Sequence, residues 1–196
     1  MMKIGNRMFD VEHDCSVMGI LNVTPDSFSD GGKWNDIEKA KKHTADMIAE
    51  GASIIDIGGE STRPGHVQIS IQEEIDRVVP MIEMVKREFD IPVSIDSYKG
   101  DVVEAALKAG ADLVNDIWGL KYDERVAELG YPVLLATSRK SVIGTALDLP
   151  SDERVEGTIV TTVLGVQKKA AFVRVHDVKE NLRAIRMTQA ILREGK

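Results

Sequence analysis

Polar side chains that could carry chemistry follow six short apolar runs of the sequence. They are Asn22, Asp56, Asp96, Asn115, Ser138 to Lys140, and Arg174 with His176. Carboxylates and amides can hydrogen-bond a polar ring, and cationic groups can bind a phosphate or an electron-rich ring. In parallel α/β sheets and barrels, active sites are built at the carboxyl ends of the strands. The spacing therefore favours a site at one edge of such a sheet.

The elements that must position these residues alternate along the chain. The predicted strands are Val17–Val23, Ser53–Ile57, Val93–Ile95, Leu113–Val114 running into Asn115, Val133–Ala136 and Phe172–Val175. The predicted helices are Asp36–Glu50, Ile71–Phe89 with a kink at Pro80, Asp101–Ala109, a short Asp123–Leu129, Ser151–Lys168 with Ser151 as N-cap, and Val178–Arg193. This alternation predicts βα units around a parallel sheet. No glycine-rich phosphate loop follows the first strand, which favours a barrel over a nucleotide-binding fold.

Length and charge limit the class of protein. The chain has 196 residues, of which 43% are apolar, and this suits a single domain with a real core. A net charge of −7 argues against a general nucleic-acid or acidic-membrane binder. The single cysteine, Cys15, permits no intramolecular disulfide and agrees with a reducing cytoplasm. No apolar run reaches the roughly 18 residues of a membrane span, so a soluble cytoplasmic protein is expected.

Several long motifs carry a resemblance to a known family. They are GILNVTPDSFSDGG at 19–32, IDIGGESTRPG at 55–65, VSIDS at 93–97, VNDIWG at 114–119, ATSRKSVIG at 136–144 and FVRVHD at 172–177. In this order they closely resemble dihydropteroate synthase, the folate-pathway transferase that joins p-aminobenzoate to a pterin and is the target of sulfonamides. The resemblance implies that the predicted strands belong to a TIM-type (β/α)₈ barrel.

The chain is too short for that barrel. About 250 residues in eight units give about 31 per unit, so 196 residues allow about six. The family's fifth strand, with its Met-His-Asn type motif, and its sixth, with its Asp-Pro-Gly-Ile-Gly-Phe type loop, have no counterpart here. We therefore expect a single α/β domain over 1–196, a TIM-type barrel internally truncated to about six βα units with a seam near 123–132. The family's fourth and seventh strands would then either pair with each other or remain open edges.

The resemblance also implies the role of each site residue. Asp96, Asn115 and Lys140 would bind the pterin, and Arg174 with His176 would bind the diphosphate. Thr62, Pro64 and Ser141 would lie near p-aminobenzoate, with Arg63 closing over the site, and Asn22 would offer an oxygen to Mg²⁺. Lys140, Arg174 and His176 would be the catalytic residues, and Arg174 is expected to have an accessible head group, so that Arg174→Glu would remove diphosphate binding and leave the fold intact.

Structural roles remain alternatives for most of these residues. Asp96 could cap the following helix, Lys140 and Arg63 could be solvated charges, His176 could be bonded beside Asp177, and Asn22 could hold the turn before Pro25. Asp56 and Glu60 are expected to be structural. His13, His43 and His66 have no metal-ligand spacing, so a zinc site is not expected.

Three functions compete. The first is an active synthase that takes a pterin diphosphate and p-aminobenzoate as substrates, with a homodimer as one possible assembly. The second is a catalytically impaired or inactive truncated form with weak pterin or diphosphate binding, because the family's sixth strand supplies a second pterin-binding carboxylate worth about 1.5–3 kcal/mol. The third is a corrinoid-dependent pterin methyltransferase, against which the intact loop motifs weigh strongly.

Overall fold

The computed structural model describes residues 1–11, 13–23, 33–60, 67–115, 133–134, 138–139, 141–167 and 170–194. The predicted helix at 123–129 and most of the predicted seam lie outside these residues. Within the described part of the chain, no helix is both long and apolar enough to cross a membrane.

Within the described residues, six parallel strands form the main sheet, as the sequence predicted. They are β3 (Ser16–Asn22), β4 (Ile54–Gly58), β5 (Val93–Asp96), β6 (Leu113–Asn115), β7 (Val133–Leu134) and β8 (Phe172–Val175), in the spatial order β7-β6-β5-β4-β3-β8. A short antiparallel hairpin, β1 (Met2–Ile4) and β2 (Arg7–Phe9), precedes them. This hairpin was not predicted, although Gly5 and Asn6 between two short runs are a typical two-residue hairpin turn and Gly5 has φ +57°.

The helices lie between the strands. They are α1 (Lys33–Glu50), α2 (Ile71–Glu88), α3 (Gly100–Lys108), α4 (Ser141–Leu147), α5 (Val155–Gln167) and α6 (Val178–Glu194). The prediction that Ser151 caps the helix before the last strand is wrong. Ser151 begins a separate 3₁₀ turn, and Arg154, whose side chain donates to the Leu149 carbonyl, interrupts the helical geometry before Val155. Helix α4 was not predicted, because its segment has too few residues to show helical periodicity.

Residues of β3, β4, β5, β6 and β8 alternate between two environments. Val17, Leu21, Ile55, Ile57, Val93, Ile95, Val114 and Val175 pack in the cluster that the helices cover. The alternate positions Met18, Ile54 and Leu113 face the concave side, where they pack with Ile4 and Phe9 of the hairpin. The Phe9 and Phe172 rings meet edge to face at 5.4 Å. The hairpin therefore closes one end of the concave face with apolar side chains.

The strands on either side of the predicted seam pair directly. Val114 is opposite Val133, and Asn115 is opposite Leu134, which is one of the two arrangements expected for the family's fourth and seventh strands. At the other end of the sheet, β8 pairs with β3. Among the described residues no ladder joins β7 to β8, and the described strands form an open arc. Side chains from 138 and 139 reach 176 and 177 across this gap.

The single cysteine is expected to be chemically inert in the folded protein. Cys15 is 4% exposed, and burial, with the nearby charge of Asp14, raises the pKa of its thiol to about 11. Because the thiolate is the nucleophile, a disulfide reagent at pH 8 should label Cys15 only after denaturation. Rapid labelling of the native protein, followed by absorbance, would contradict this expectation.

Candidate functional site

The polar end of the concave face combines residues from four strands. Asp56 of β4 is opposite Ser94 of β5, and Asp96 of β5 is opposite Asn115 of β6. These residues occupy the inward-facing set of alternate positions, beyond the apolar residues that contact the hairpin. Arg174 of β8 belongs to the same set. The period of two along each strand thus brings chemically useful side chains from distant segments onto one surface.

Arg174 is the centre of this group. Its Nε donates to Asp56 Oδ2, and one terminal nitrogen donates to Asp96 Oδ2. Asn115 Nδ2 also donates to Asp56 Oδ2, at 3.1 Å. The Arg174 side chain is 11% exposed and that of Asp56 is fully buried. The expectation of an accessible Arg174 head group is therefore wrong, because two carboxylates face the same surface and hold the guanidinium between them.

The charge state of Arg174 follows from these contacts. Burial alone would lower the pKa of Arg174, but the charges of Asp56 and Asp96 outweigh it and hold this pKa above its ordinary value. The guanidinium is thus a permanent cation in the interior. Asp56 was expected to be structural. Its carboxylate accepts hydrogen bonds from Arg174 and Asn115, and it therefore belongs to the polar group that forms the candidate site.

Several buried polar atoms beside Arg174 have no hydrogen-bond partner among the described residues. They are Asp56 Oδ1, Asn115 Oδ1 and Ser94 Oγ. Buried polar groups in folded proteins are nearly always hydrogen-bonded, so clustered exceptions indicate where a ligand supplies the partner. Ser94 was missed by the sequence reasoning. Its position two residues before Asp96 on the same strand was the signal that could have found it.

The geometry bears on the structural alternatives for Asp96 and His176. Helix α3 begins at Gly100 with Lys99 as its N-cap residue, so Asp96 does not cap it. His176 Nδ1 lies 3.2 Å from Ser138 Oγ, while the Asp177 carboxylate beside it forms an ion pair with Arg139. His176 therefore sits at the junction between the segments that follow β7 and β8.

The remaining predicted site residues divide into two groups. Asn22 ends β3, is half-buried and lies opposite Gly58 of β4. Gly58 in turn lies opposite Asp96, so Asn22 and Asp96 share the carboxyl edge of the sheet. Thr62, Arg63, Pro64 and Lys140 lie outside the described residues. For Ser141 the structure describes the backbone alone, at the first residue of α4.

Comparison with known proteins gives a consistent result. The sequence profile of a family described as pterin binding enzyme matches residues 18–129 and 124–176. The dihydropteroate synthase of Clostridium beijerinckii is 45% identical over 268 residues, covering 98% of this chain and 100% of that protein. The dihydropteroate synthase of Bacillus subtilis is 41% identical over 254 residues, covering 91% of this chain and 89% of that protein.

Solved structures of dihydropteroate synthases are similar to this chain as well. The crystal structure of dihydropteroate synthase from Clostridium difficile in the presence of pteroic acid superposes with a TM-score of 0.86 at 42% identity, covering 95% of this chain and 100% of that one. The Yersinia pestis dihydropteroate synthase in complex with a sulfonamide drug gives a TM-score of 0.83 at 32% identity, with coverage of 98% and 99%.

The comparisons also measure how short the chain is. The alignment with the Clostridium beijerinckii enzyme runs over 268 residues, whereas this chain has 196. The difference, about 70 residues, is close to two units of an eight-unit barrel. The chain belongs to the pterin-binding enzyme family, among the dihydropteroate synthases, as a form shortened by about two βα units.

Proposed function

We propose that this chain condenses 6-hydroxymethyl-7,8-dihydropterin diphosphate with p-aminobenzoate to give 7,8-dihydropteroate and diphosphate. The observation that carries the proposal is the polar group of Asp56, Asp96, Asn115 and Arg174. Buried oxygens of Asp56, Asn115 and Ser94 have no hydrogen-bond partner in the described part of the chain. A pterin ring offers both amino and N–H donors and ring acceptors, which match carboxylate, amide and hydroxyl partners. The family membership of the chain supports this assignment.

The proposed roles follow from the chemistry of each side chain. The Asp96 carboxylate and the Asn115 amide would hold the pterin, together with Lys140. Arg174 uses two of the five guanidinium N–H donors on Asp56 and Asp96, so the others can bind diphosphate oxygens beside His176. The segments containing Thr62, Arg63, Pro64 and Ser141 would receive p-aminobenzoate.

The reaction requires charge stabilisation rather than a protein nucleophile. As the C–O bond to diphosphate weakens, negative charge grows on the leaving group and positive charge on the pterin methylene. A cation held in place before the reaction stabilises the leaving group without reorganisation, and Arg174 is such a cation. The amine of p-aminobenzoate then attacks the methylene carbon.

The Asn22 amide oxygen, at the carboxyl edge of the sheet, fits a magnesium ion carried by the diphosphate. The described residues contain no cluster of three or more His, Cys, Asp or Glu side chains that could hold a metal by themselves. Mg²⁺ keeps several waters and is commonly held by one or two protein oxygens plus substrate phosphates. The Asn22 amide oxygen is a metal ligand of this kind. The ion would neutralise diphosphate charge when bound.

A second candidate, a form with impaired or no turnover, is favoured by the direct pairing of β6 with β7. The two family strands absent between them carry, in the relatives this chain resembles, a second pterin-binding carboxylate. Loss of one hydrogen bond to a charged group costs about 1.5–3 kcal/mol, or one to two decades of affinity. Weak pterin binding without turnover would be the signature of this form.

A steady-state assay with both substrates, beside titration calorimetry of each, separates the candidates. Turnover of p-aminobenzoate with release of diphosphate supports the synthase. Binding of the pterin diphosphate without product identifies the impaired form. Absence of both binding and turnover would reject the two together.

Asp96→Asn is expected to weaken binding of a pterin alone by about tenfold to a hundredfold, because a charged acceptor becomes a neutral amide. Asp46→Asn, an exposed change on α1, is the matched control and should have no effect. Calorimetry with the pterin is the measurement. Equal affinity in the two variants would remove Asp96 from the site.

We also propose a cytoplasmic location and a homodimer. The single, buried Cys15 agrees with a reducing compartment. Among the described strands β8 is the outermost, and its Phe172 and Val173 are only half-buried. A sheet edge of this kind favours association. Light scattering after size exclusion is therefore expected to show an oligomer. A monomer with a sharp, high-temperature melting transition would contradict association and favour a closed fold.

A further inference from the structure

The two segments that follow β7 and β8 are joined by side chains. Arg139 Nε donates to Asp177 Oδ2 at 3.1 Å, and one terminal nitrogen of Arg139 donates to Asp177 Oδ1. Beside this bidentate pair, Ser138 Oγ lies 3.2 Å from His176 Nδ1. Within the described residues no ladder joins β7 to β8, so these contacts hold the two segments together at the carboxyl edge of the sheet.

Arg139 makes these contacts from a backbone conformation that residues with a side chain rarely adopt. Its φ is +53°, in the left-handed region. Its amide donates to Thr158 Oγ1 at 3.4 Å, and its carbonyl accepts from Arg154 at 3.2 Å. A strained conformation persists only where the surrounding structure fixes it, and such positions cluster at functional sites. Here contacts to the amide, the carbonyl and the guanidinium all fix one residue.

Helix α5 supports both partners of the ion pair. Thr158, which accepts from the Arg139 amide, lies in its first turn. One turn later, Thr162 donates to Asn181 Oδ1 at 2.7 Å, and Asn181 Nδ2 donates to the Asp177 carbonyl at 2.8 Å. Thr158, Thr162 and Asn181 are all buried. The position of Arg139 relative to Asp177 is therefore set by contacts with one helix.

These segments border the space around Arg174. A cavity of about 100 Å³ is lined by Ser138, by Arg174 and Val175 of β8, and by threonines of α5. His176 follows Val175 directly, and the proposed function places diphosphate oxygens on Arg174 beside His176. Two groups bind one ligand more tightly when their relative position is fixed beforehand. Whatever fixes His176 relative to Arg174 therefore strengthens diphosphate binding.

Stability alone does not account for this arrangement. The Arg139 and Asp177 side chains are 24% and 19% exposed, and partly exposed ion pairs contribute little to stability. Glycine would adopt the same φ without strain. An arginine here thus combines a strained backbone with a weakly stabilising ion pair. What the bidentate pair does provide is a fixed geometry beside His176.

We propose that Arg139 is a positioning residue, which through Asp177 holds the His176 ring in place and thereby sets the affinity for the diphosphate group. The inference rests on the proposed function, because that function assigns Arg174 and His176 to the diphosphate. In this role Arg139 acts through its neighbours and touches no substrate atom.

Arg139→Gly tests the inference, because glycine keeps the left-handed backbone and removes the guanidinium. The affinity for inorganic diphosphate is expected to fall about tenfold, the effect of the one charged hydrogen bond that a misplaced His176 no longer makes. The affinity for a pterin alone should stay within twofold, and the midpoint of urea unfolding should stay near that of the unaltered chain. Titration calorimetry and circular dichroism measure these quantities.

Asp148→Gly is the matched control. Asp148 is an exposed residue of the neighbouring loop with φ +52°, so glycine relieves the same kind of strain there and leaves the ion pair intact. Its affinity for inorganic diphosphate should not change. The inference is overturned if the two variants weaken diphosphate binding alike or if Arg139→Gly leaves it unchanged. It is also overturned if Arg139→Gly weakens pterin and diphosphate binding equally, which is the result of a merely structural role.

A second readout does not depend on ligand binding. The Nδ1 resonance of His176, assigned through His176→Gln, reports the contact of this nitrogen with Ser138 Oγ. It should shift in Arg139→Gly and not in Asp148→Gly, because the ring loses its fixed position. If the unaltered chain shows neither turnover nor binding of inorganic diphosphate, the proposed function has failed. The positioning claim is then judged on the resonance alone, and an unchanged resonance would reject it.

Discussion

Arg174→Glu is expected to abolish the folded state. The substitution removes the cation between Asp56 and Asp96 and places a third carboxylate there, in a site where Asp56 is fully buried. Removing one partner of a buried pair already costs about 3–5 kcal/mol, and a typical domain has only about 5–15 kcal/mol of stability. Charge reversal adds repulsion to that loss.

Urea unfolding followed by circular dichroism is the measurement for this variant. Arg186→Glu, an exposed charge reversal on α6, is the control and should unfold near the midpoint of the unaltered protein. A cooperative transition in Arg174→Glu at the same midpoint as the control would show that the buried pair contributes nothing. It would also restore the sequence-based expectation of an accessible Arg174.

Lys99→Met is expected to lose about 3–5 kcal/mol at neutral pH, because Glu60 and Glu74 remain buried without their ammonium. The control is Lys108→Met, which breaks an exposed pair with Glu104 on α3 and should cost no more than about 0.5 kcal/mol. The midpoint of urea unfolding at pH 7 measures both. Equal midpoints would show that the buried ammonium is dispensable.

The pH dependence of the two proteins should have opposite sign. In the unaltered chain the pKa of Glu60 is depressed by folding, so its contribution is present at neutral pH and is lost as pH falls through the folded-state pKa. Without Lys99, burial would raise the pKa of Glu60 above its unfolded value, and acidification from neutral pH would then stabilise the variant. Unfolding midpoints from about pH 7 to about pH 3 distinguish these trends, because the Glu60 contribution of the unaltered chain is lost only below the ordinary carboxyl pKa of 4.5, whereas the variant should gain stability already above it. Parallel curves would contradict them.

The sequence predicted the sheet, and the edge at which the candidate site residues lie, for physical reasons. Apolar β-branched runs such as Ile54–Gly58 mark buried strands, and a polar residue at the end of such a run must lie at the carboxyl edge of the sheet. Asp96 and Asn115 were placed correctly by this rule, and the geometry sets them opposite each other. The alternation of period two, applied further, would also have placed Ser94 inside.

Partner choice could not be predicted in the same way. Nothing local to Arg174 shows that its guanidinium turns inward to Asp56 and Asp96, because those residues are 118 and 78 positions away. The same holds for Lys99 and Glu60, which are 39 positions apart. Spacing along the chain indicates which face a side chain occupies, whereas pairing depends on what else reaches that face.

The distance along the chain between Asp56 and Arg174 has a consequence during synthesis. Asp56 and Asp96 are translated long before Arg174, which lies 118 residues after the first of them. Translation at about 5–20 residues per second leaves the two carboxylates without their cation for seconds. A nascent chain cannot bury them unpaired, so the polar half of the interior stays hydrated until the last strand has left the ribosome. The apolar half has no such requirement, and Met18, Ile54 and Leu113, which pack against the hairpin and are translated earlier, are free to collapse first.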